Sequence, residues 1–120
     1  MKNVIMIIGL LLGITSCEHA YDYSYLVTNK SDVEIDVYVK TFRIDSVFII
    51  PKDSTQLLLI TDHGIEGSKG PYDRRVTGDL DKFEVTKNDT LKSKRDYLKN
   101  DAWTFKKGKY STIVTDDEFK

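Results

Sequence analysis

Val33-Glu-Ile-Asp-Val-Tyr-Val-Lys40 alternates without a break. Val33, Ile35, Val37 and Val39 fall on one side of an extended chain, and Glu34, Asp36, Tyr38 and Lys40 on the other. That period of two marks a strand with one face in a core and one in water. The β-branched run suits a pleated, half-buried surface. Upstream, Tyr21-Asp-Tyr-Ser-Tyr-Leu-Val-Thr28 alternates as well, with Tyr21, Tyr23, Tyr25 and Val27 together. The two stretches flank Asn29-Lys-Ser-Asp32, a run of turn formers, and so predict a hairpin. The tyrosines offer stacking surfaces for sugars, but their continuation into Val27 favours the inner face of a strand.

Downstream, residues 45–50 form a third strand stopped by Pro51, which has no amide hydrogen for a ladder. Lys52-Asp53-Ser54 is a turn. Residues 55–61, around Leu57-Leu-Leu-Ile60, read as a strand buried on both faces. Residues 62–71 carry Gly64, Gly67 and Gly70 and read as the main irregular loop. Residues 80–87 and 90–95 flank Asn88-Asp89 as a second hairpin. Residues 97–108, which contain Trp103, are ambiguous, and residues 110–115 are a last strand. Asp116-Asp-Glu-Phe-Lys120 is an acidic exit with room for one helical turn. Short strands separated by turns predict an all-β protein, a small antiparallel sandwich of about seven strands.

Before these strands stands a different composition. Lys2 is followed by an almost unbroken apolar run from Val4 to Leu12, and then by Ile14-Thr15-Ser16-Cys17, which holds the single cysteine of the 120 residues. A basic start, an apolar stretch of about 7–15 residues and small residues before a cut make a secretory signal. A membrane-spanning helix needs roughly 20 apolar residues, and Thr15, Ser16, Glu18 and His19 interrupt the run too early. A buried strand ending in a core cysteine is the other rival, since isolated cysteines are often buried hydrophobes. Ile14-Thr-Ser-Cys17 resembles the lipobox of bacterial lipoproteins. That resemblance implies cleavage after residue 16, a diacylglyceryl group on the Cys17 sulfur and usually an acyl chain such as palmitate on the freed amine. It implies an exported protein lipid-anchored in the cell envelope, with the outer membrane as the expected site. Residues 1–16 are then the signal, 17–21 the lipidated tether and 22–120 the single domain.

The domain also resembles small β-sandwich lipoproteins of Gram-negative bacteria. The matching pieces are Val27-Thr-Asn-Lys-Ser-Asp32, Ile50-Pro-Lys-Asp-Ser54 and Tyr110-Ser-Thr-Ile-Val-Thr-Asp-Asp117. The resemblance implies an immunoglobulin-like fold and carries no single activity with it.

A formal charge of −1 gives no overall basic excess, so nucleic acid is not an expected partner. Lys92, Lys94, Arg95, Lys99, Lys106, Lys107 and Lys109 nevertheless make the late chain basic. They suit either anionic glycan and lipid headgroups or the protection of strand edges, and edge protection is the plainer reading. Asp62-His63 pairs an imidazole with a carboxylate, an arrangement used in base catalysis and metal binding, although an exposed loop histidine needs neither. His19 is too distant in sequence to complete a zinc signature. No Gly-x-Ser-x-Gly elbow occurs, and Gly64-x-x-Gly67-x-x-Gly70 lacks the Lys-Ser/Thr ending of a phosphate loop. Asp116, Asp117 and Glu118 with Asp79 or Asp81 lack the spacing of a calcium loop and read as a solvated terminus.

The sequence therefore predicts no catalytic residue, no cofactor and no metal. Candidates for recognition are His63, Tyr72, Tyr38 and Trp103, with the loop 62–72 as the expected binding element. Asp45-Ser46-Val47, Asp53-Ser54-Thr55 and Asp89-Thr90-Leu91 resemble the acceptor sequence of bacterial periplasmic O-glycosylation, which implies Ser46, Ser54 and Thr90 as modified hydroxyls. The expected function is a non-enzymatic binding module with a protein or glycan ligand. The alternatives are an envelope protease inhibitor or immunity protein acting through an exposed loop, and last a small hydrolase built on His63.

Overall fold

The structure is a computed structural model and describes residues 19–65 and 70–120. The expected signal, Cys17 and part of the glycine-rich loop lie outside the described residues. Eight strands follow one another: β1 (His19–Asn29), β2 (Ile35–Lys40), β3 (Asp45–Ile50), β4 (Thr55–Ile65), β5 (Lys82–Lys87), β6 (Leu91–Lys92), β7 (Thr104–Lys106) and β8 (Lys109–Val114). They form two four-stranded sheets, ordered β4-β1-β8-β7 and β3-β2-β5-β6. The protein is a small all-β sandwich.

The alternation of Ile35, Val37 and Val39 is realised in full, since all three are wholly buried. Val33 falls just before β2 and is half-buried. Tyr23, Tyr25 and Val27 are wholly buried from the other sheet, while Tyr21 packs against the core edge. Tyr25 stacks on Tyr110 with ring centroids 5.0 Å apart and meets Trp103 edge-on at 5.4 Å. Phe83 meets Trp103 at 5.2 Å, so aromatic rings join the two layers.

Several expectations need correction. β1 and β2 are not a hairpin: β1 pairs with β4 and β8 in one sheet and β2 with β3 and β5 in the other, because the turn between them carries the chain across the sandwich. Eight strands replace seven, because residues 104–106 supply β7, paired with β8 across the Lys107–Gly108 turn. The sandwich is not wholly antiparallel, since β8 lies parallel to β1. β1 begins at His19, so pairing of Ala20 with Gly64 and Tyr21 with His63 takes in residues expected in the tether. β4 is an edge strand rather than a strand buried on both faces. Leu57 and Ile60 are exposed, and only Leu58 is fully buried. Tyr25 faces Leu59 and Leu26 faces Leu57, so Leu58 is the extra residue of a bulge. β4 also continues through residues 62–65, which were expected to be loop, because β1 supplies them with partners.

Candidate functional site

The end of the sandwich where β1 begins carries a cavity of about 240 Å³. Three segments line it: the β2–β3 turn at Thr41, Phe42 and Arg43, the run from Ile60 to His63 in β4, and Gly78 with Asp79 after a 3-10 turn. The β2–β3 turn is stiff. Thr41 donates its backbone amide to the Ile44 carbonyl at 2.8 Å, and its hydroxyl accepts the amides of Arg43 and Ile44 at 3.1 Å each. The result is a short closed tip that leaves Phe42 96% exposed. With Ile60, 59% exposed on the opposite wall, it gives the cavity an apolar rim, and contiguous exposed apolar surface of this kind is what contact sites offer.

The cavity floor is polar. His63 Nε2 lies 2.6 Å from Asp79 Oδ1, and the Tyr25 hydroxyl donates to Asp79 Oδ2 at 2.5 Å. The Asp79 side chain is only 4% exposed, so both partners matter to it. Burial first, and the carboxylate of Asp79 second, push the Tyr25 phenol well above its ordinary range. Thr61 Oγ1 also contacts His63, at 3.4 Å, but on the same Nε2 that holds Asp79. A hydroxyl–imidazole–carboxylate relay places the hydroxyl and the carboxylate on opposite ring nitrogens. Here one nitrogen receives both, so the trio holds His63 in place without forming that relay.

The four recognition candidates separate. His63 lies in β4, half-buried and bonded to Asp79, rather than on an exposed loop. Tyr72 is 47% exposed, and its backbone amide and carbonyl both bond the Tyr23 hydroxyl, at 3.0 and 2.8 Å. Tyr38 stands on the outer face of β2 but is half-buried between Val47 and Glu84, its cross-strand neighbours. Its phenol is raised first by a hydrogen bond to Asp45. Trp103 is not a surface group at all. It is 7% exposed, and its indole donates to the Tyr97 carbonyl at 2.8 Å. A large ring is drawn inside once a carbonyl satisfies its single polar atom.

The acidic tail is likewise not simply solvated. Residues Asp116–Phe119 form a 3-10 turn with a reciprocal cap between Thr115 and Glu118. Glu118, 7% exposed at its side chain, accepts from Ser93 and from the Tyr97 hydroxyl and pairs with Arg95. Asp116 and Asp32 both hold Lys87. Among the described residues no cluster of histidine, cysteine, aspartate or glutamate could hold a metal ion. Ser46 and Thr90 are exposed, while Ser54 is half-buried in its turn.

A second, wider crevice of about 440 Å³ lies over Trp103 and Thr112. Its cation, Arg95, is bonded inward to the Ala102 and Ile113 carbonyls at 2.6 and 3.0 Å. The first cavity is therefore the better candidate. Sequence reading missed Phe42, Arg43 and the pairing of Asp79 with His63. A phenylalanine inside a tight turn between two strands was the available signal for the first.

No family model, curated protein or solved structure matches this chain. What fold and site define is a small β-sandwich with a stiff aromatic tip beside a polar-floored cavity.

Proposed function

We propose that the mature protein is a non-enzymatic interaction module, exported and lipid-anchored in the cell envelope through Cys17, that binds a protein partner at the Phe42 cavity. The observation that carries the binding reading is the exposed Phe42 ring on its closed turn beside a cavity of about 240 Å³. Small-molecule pockets run to about 300–1,000 Å³. The smaller volume suits one inserted side chain of a protein. Phe42 supplies an apolar anchor, and Arg43, Asp62 and the His63–Asp79 pair supply polar contacts around it. The anchor reading is supported by the lipobox resemblance of Ile14-Thr-Ser-Cys17.

The experiment has two arms. Metabolic labelling with a fatty-acid probe marks the wild type and not Cys17→Ser; equal labelling removes the anchor. Capture from native membranes with the lipidated protein recovers a partner that Phe42→Ala loses and Tyr38→Ala keeps. Equal recovery by all three removes the cavity from the mechanism. An inhibitor reading has one specific support, the same hydrogen-bonded turn, which holds Phe42 and Arg43 exposed side by side at its tip. It differs in the partner recovered, which would be a protease or toxin.

A further inference from the structure

Covalent geometry decides which end of this sandwich faces the membrane. β1 begins at His19, two residues after Cys17, and two residues span at most about 7 Å. If Cys17 carries the lipid, the start of β1 sits at the headgroups. β8 runs parallel to β1 and begins beside Ser24, midway along it, so the β7–β8 turn points back toward the start of β1. Lys106, Lys107 and Lys109 cluster there, all exposed. A Cβ on Gly108 would come within 2.8 Å of the Asp22 carbonyl oxygen, which seats the turn against β1 about 10 Å along the strand from His19.

Edge protection explains Lys106, which sits on the edge strand β7, but it does not explain Lys107. Lys107 occupies a left-handed conformation, with φ of 50°. Among the described residues the other non-glycine positions found there are Asp53, Asn88 and Asp89, types that tolerate it through their short polar side chains. Lysine has no such compensation, and hairpin turns of this kind prefer asparagine, aspartate or glycine. A strained residue with no local reward points to a role outside the fold. Among the described residues no ion pair involves Lys106, Lys107 or Lys109. Asp73, the acid of the adjoining loop, accepts instead from Tyr110 and Asn100.

We propose that the Lys106-Lys107-Gly108-Lys109 turn docks on anionic lipid headgroups of the membrane that holds the N-terminus. The inference rests on the lipid-anchor reading.

The test is lysine footprinting of the full lipidated chain on vesicles of phosphatidylcholine alone or mixed with phosphatidylglycerol. Acetylation of Lys106, Lys107 and Lys109 should slow at least about threefold on the anionic vesicles, as expected of cations held at an anionic surface. Lys30 and Lys52, at the other end near Asn29 and Asp53, should react at the same rate on both. About 1 M salt, where the screening length falls to about 3 Å, should remove the difference. Lys107→Asn suits the backbone, keeps the fold and should reduce protection of Lys106 and Lys109. Equal rates on the two vesicles, or equal slowing at Lys30 and Lys52, would overturn the docking. Flotation on phosphatidylcholine alone checks the anchor separately. A chain that fails to float there removes the anchor reading and the inference with it, whereas one that floats without lysine protection removes the inference alone.

Discussion

Asn29, at the end of β1, donates its side-chain amide to the carbonyl of Ile50 at the end of β3, 3.0 Å away. The bond crosses from one sheet to the other. The same amide reaches the Val33 carbonyl at 2.8 Å, and the Asn29 side-chain oxygen accepts the Ser31 amide and hydroxyl at 2.9 and 2.6 Å. The Asn29 backbone adds bonds to Ser54 and Asp53 in the next turn. One wholly buried polar residue thus closes the corner where β1, β2, β3 and β4 meet.

Replacing Asn29 should be among the most damaging polar substitutions in the domain. Asn29→Ala takes the side-chain partner from the Ile50 carbonyl and the Ser31 amide, each loss costing about 1–3 kcal/mol when buried, while the Val33 carbonyl keeps the Ser31 hydroxyl. Asn29→Asp keeps the acceptor but loses the donor, so it too should destabilise. Urea denaturation reads both. A loss below about 1 kcal/mol for Asn29→Ala would mean the corner is held by something else.

The two faces of β2 should differ sharply. Ile35→Ala empties a wholly buried site and should cost roughly 2–5 kcal/mol. Glu34→Ala, at an exposed position, should stay within about 0.5 kcal/mol. Similar costs would contradict the burial pattern.

The Lys87–Asp116–Asp32 group gives a pH signature. Asp116 first and Asp32 second hold the Lys87 ammonium above its ordinary range, and Lys87 holds the Asp116 carboxyl below its own. A lowered carboxyl adds stability above its unfolded value of about 3.9, and loses it as pH falls through the lower folded value. A raised ammonium adds stability below about 10.4, and loses it as pH rises through the higher folded value. The stability gap between wild type and Asp116→Asn should therefore be flat from near-neutral to mildly alkaline pH and should close in acid. A gap that widens below about pH 4 would reverse the assignment.

Tyr25, Tyr97 and Tyr110 should resist ionisation. Burial is the first cause of a raised phenol in all three, reinforced by Asp79 at Tyr25 and by Glu118 at Tyr97. In the unfolded chain each ionises near pH 10. The folded state is thus favoured below that value and loses ground as pH rises above it. Ultraviolet titration should show these phenolates appearing only with cooperative unfolding. Tyr25→Phe should also leave Asp79 short of a donor and cost about 1–3 kcal/mol in denaturant.

The phasing of Tyr23, Tyr25, Ile35, Val37 and Val39 toward the core was legible in the chain itself, because a strand's side chains alternate whatever lies opposite. The turns at Asp53 and Asn88-Asp89 were legible for a similar local reason, since those residues accept the left-handed backbone found there. Pairing order is not local. Whether β4 lies at an edge or in the middle depends on which strands flank it, and an aliphatic run reads alike in both places. The same holds for Trp103, drawn inward by a carbonyl six residues away, and for Glu118, held by Ser93, Tyr97 and Arg95 from a distant loop. His63 and Asp79 are sixteen residues apart with no spacing to link them, and only the return of the β4–β5 connection against β4 brings imidazole and carboxylate together. Sequence by itself decided the faces and the turns of this protein. Tertiary structure decided the edges, the buried charges and the cavity, because those depend on contacts between segments that no local period encodes.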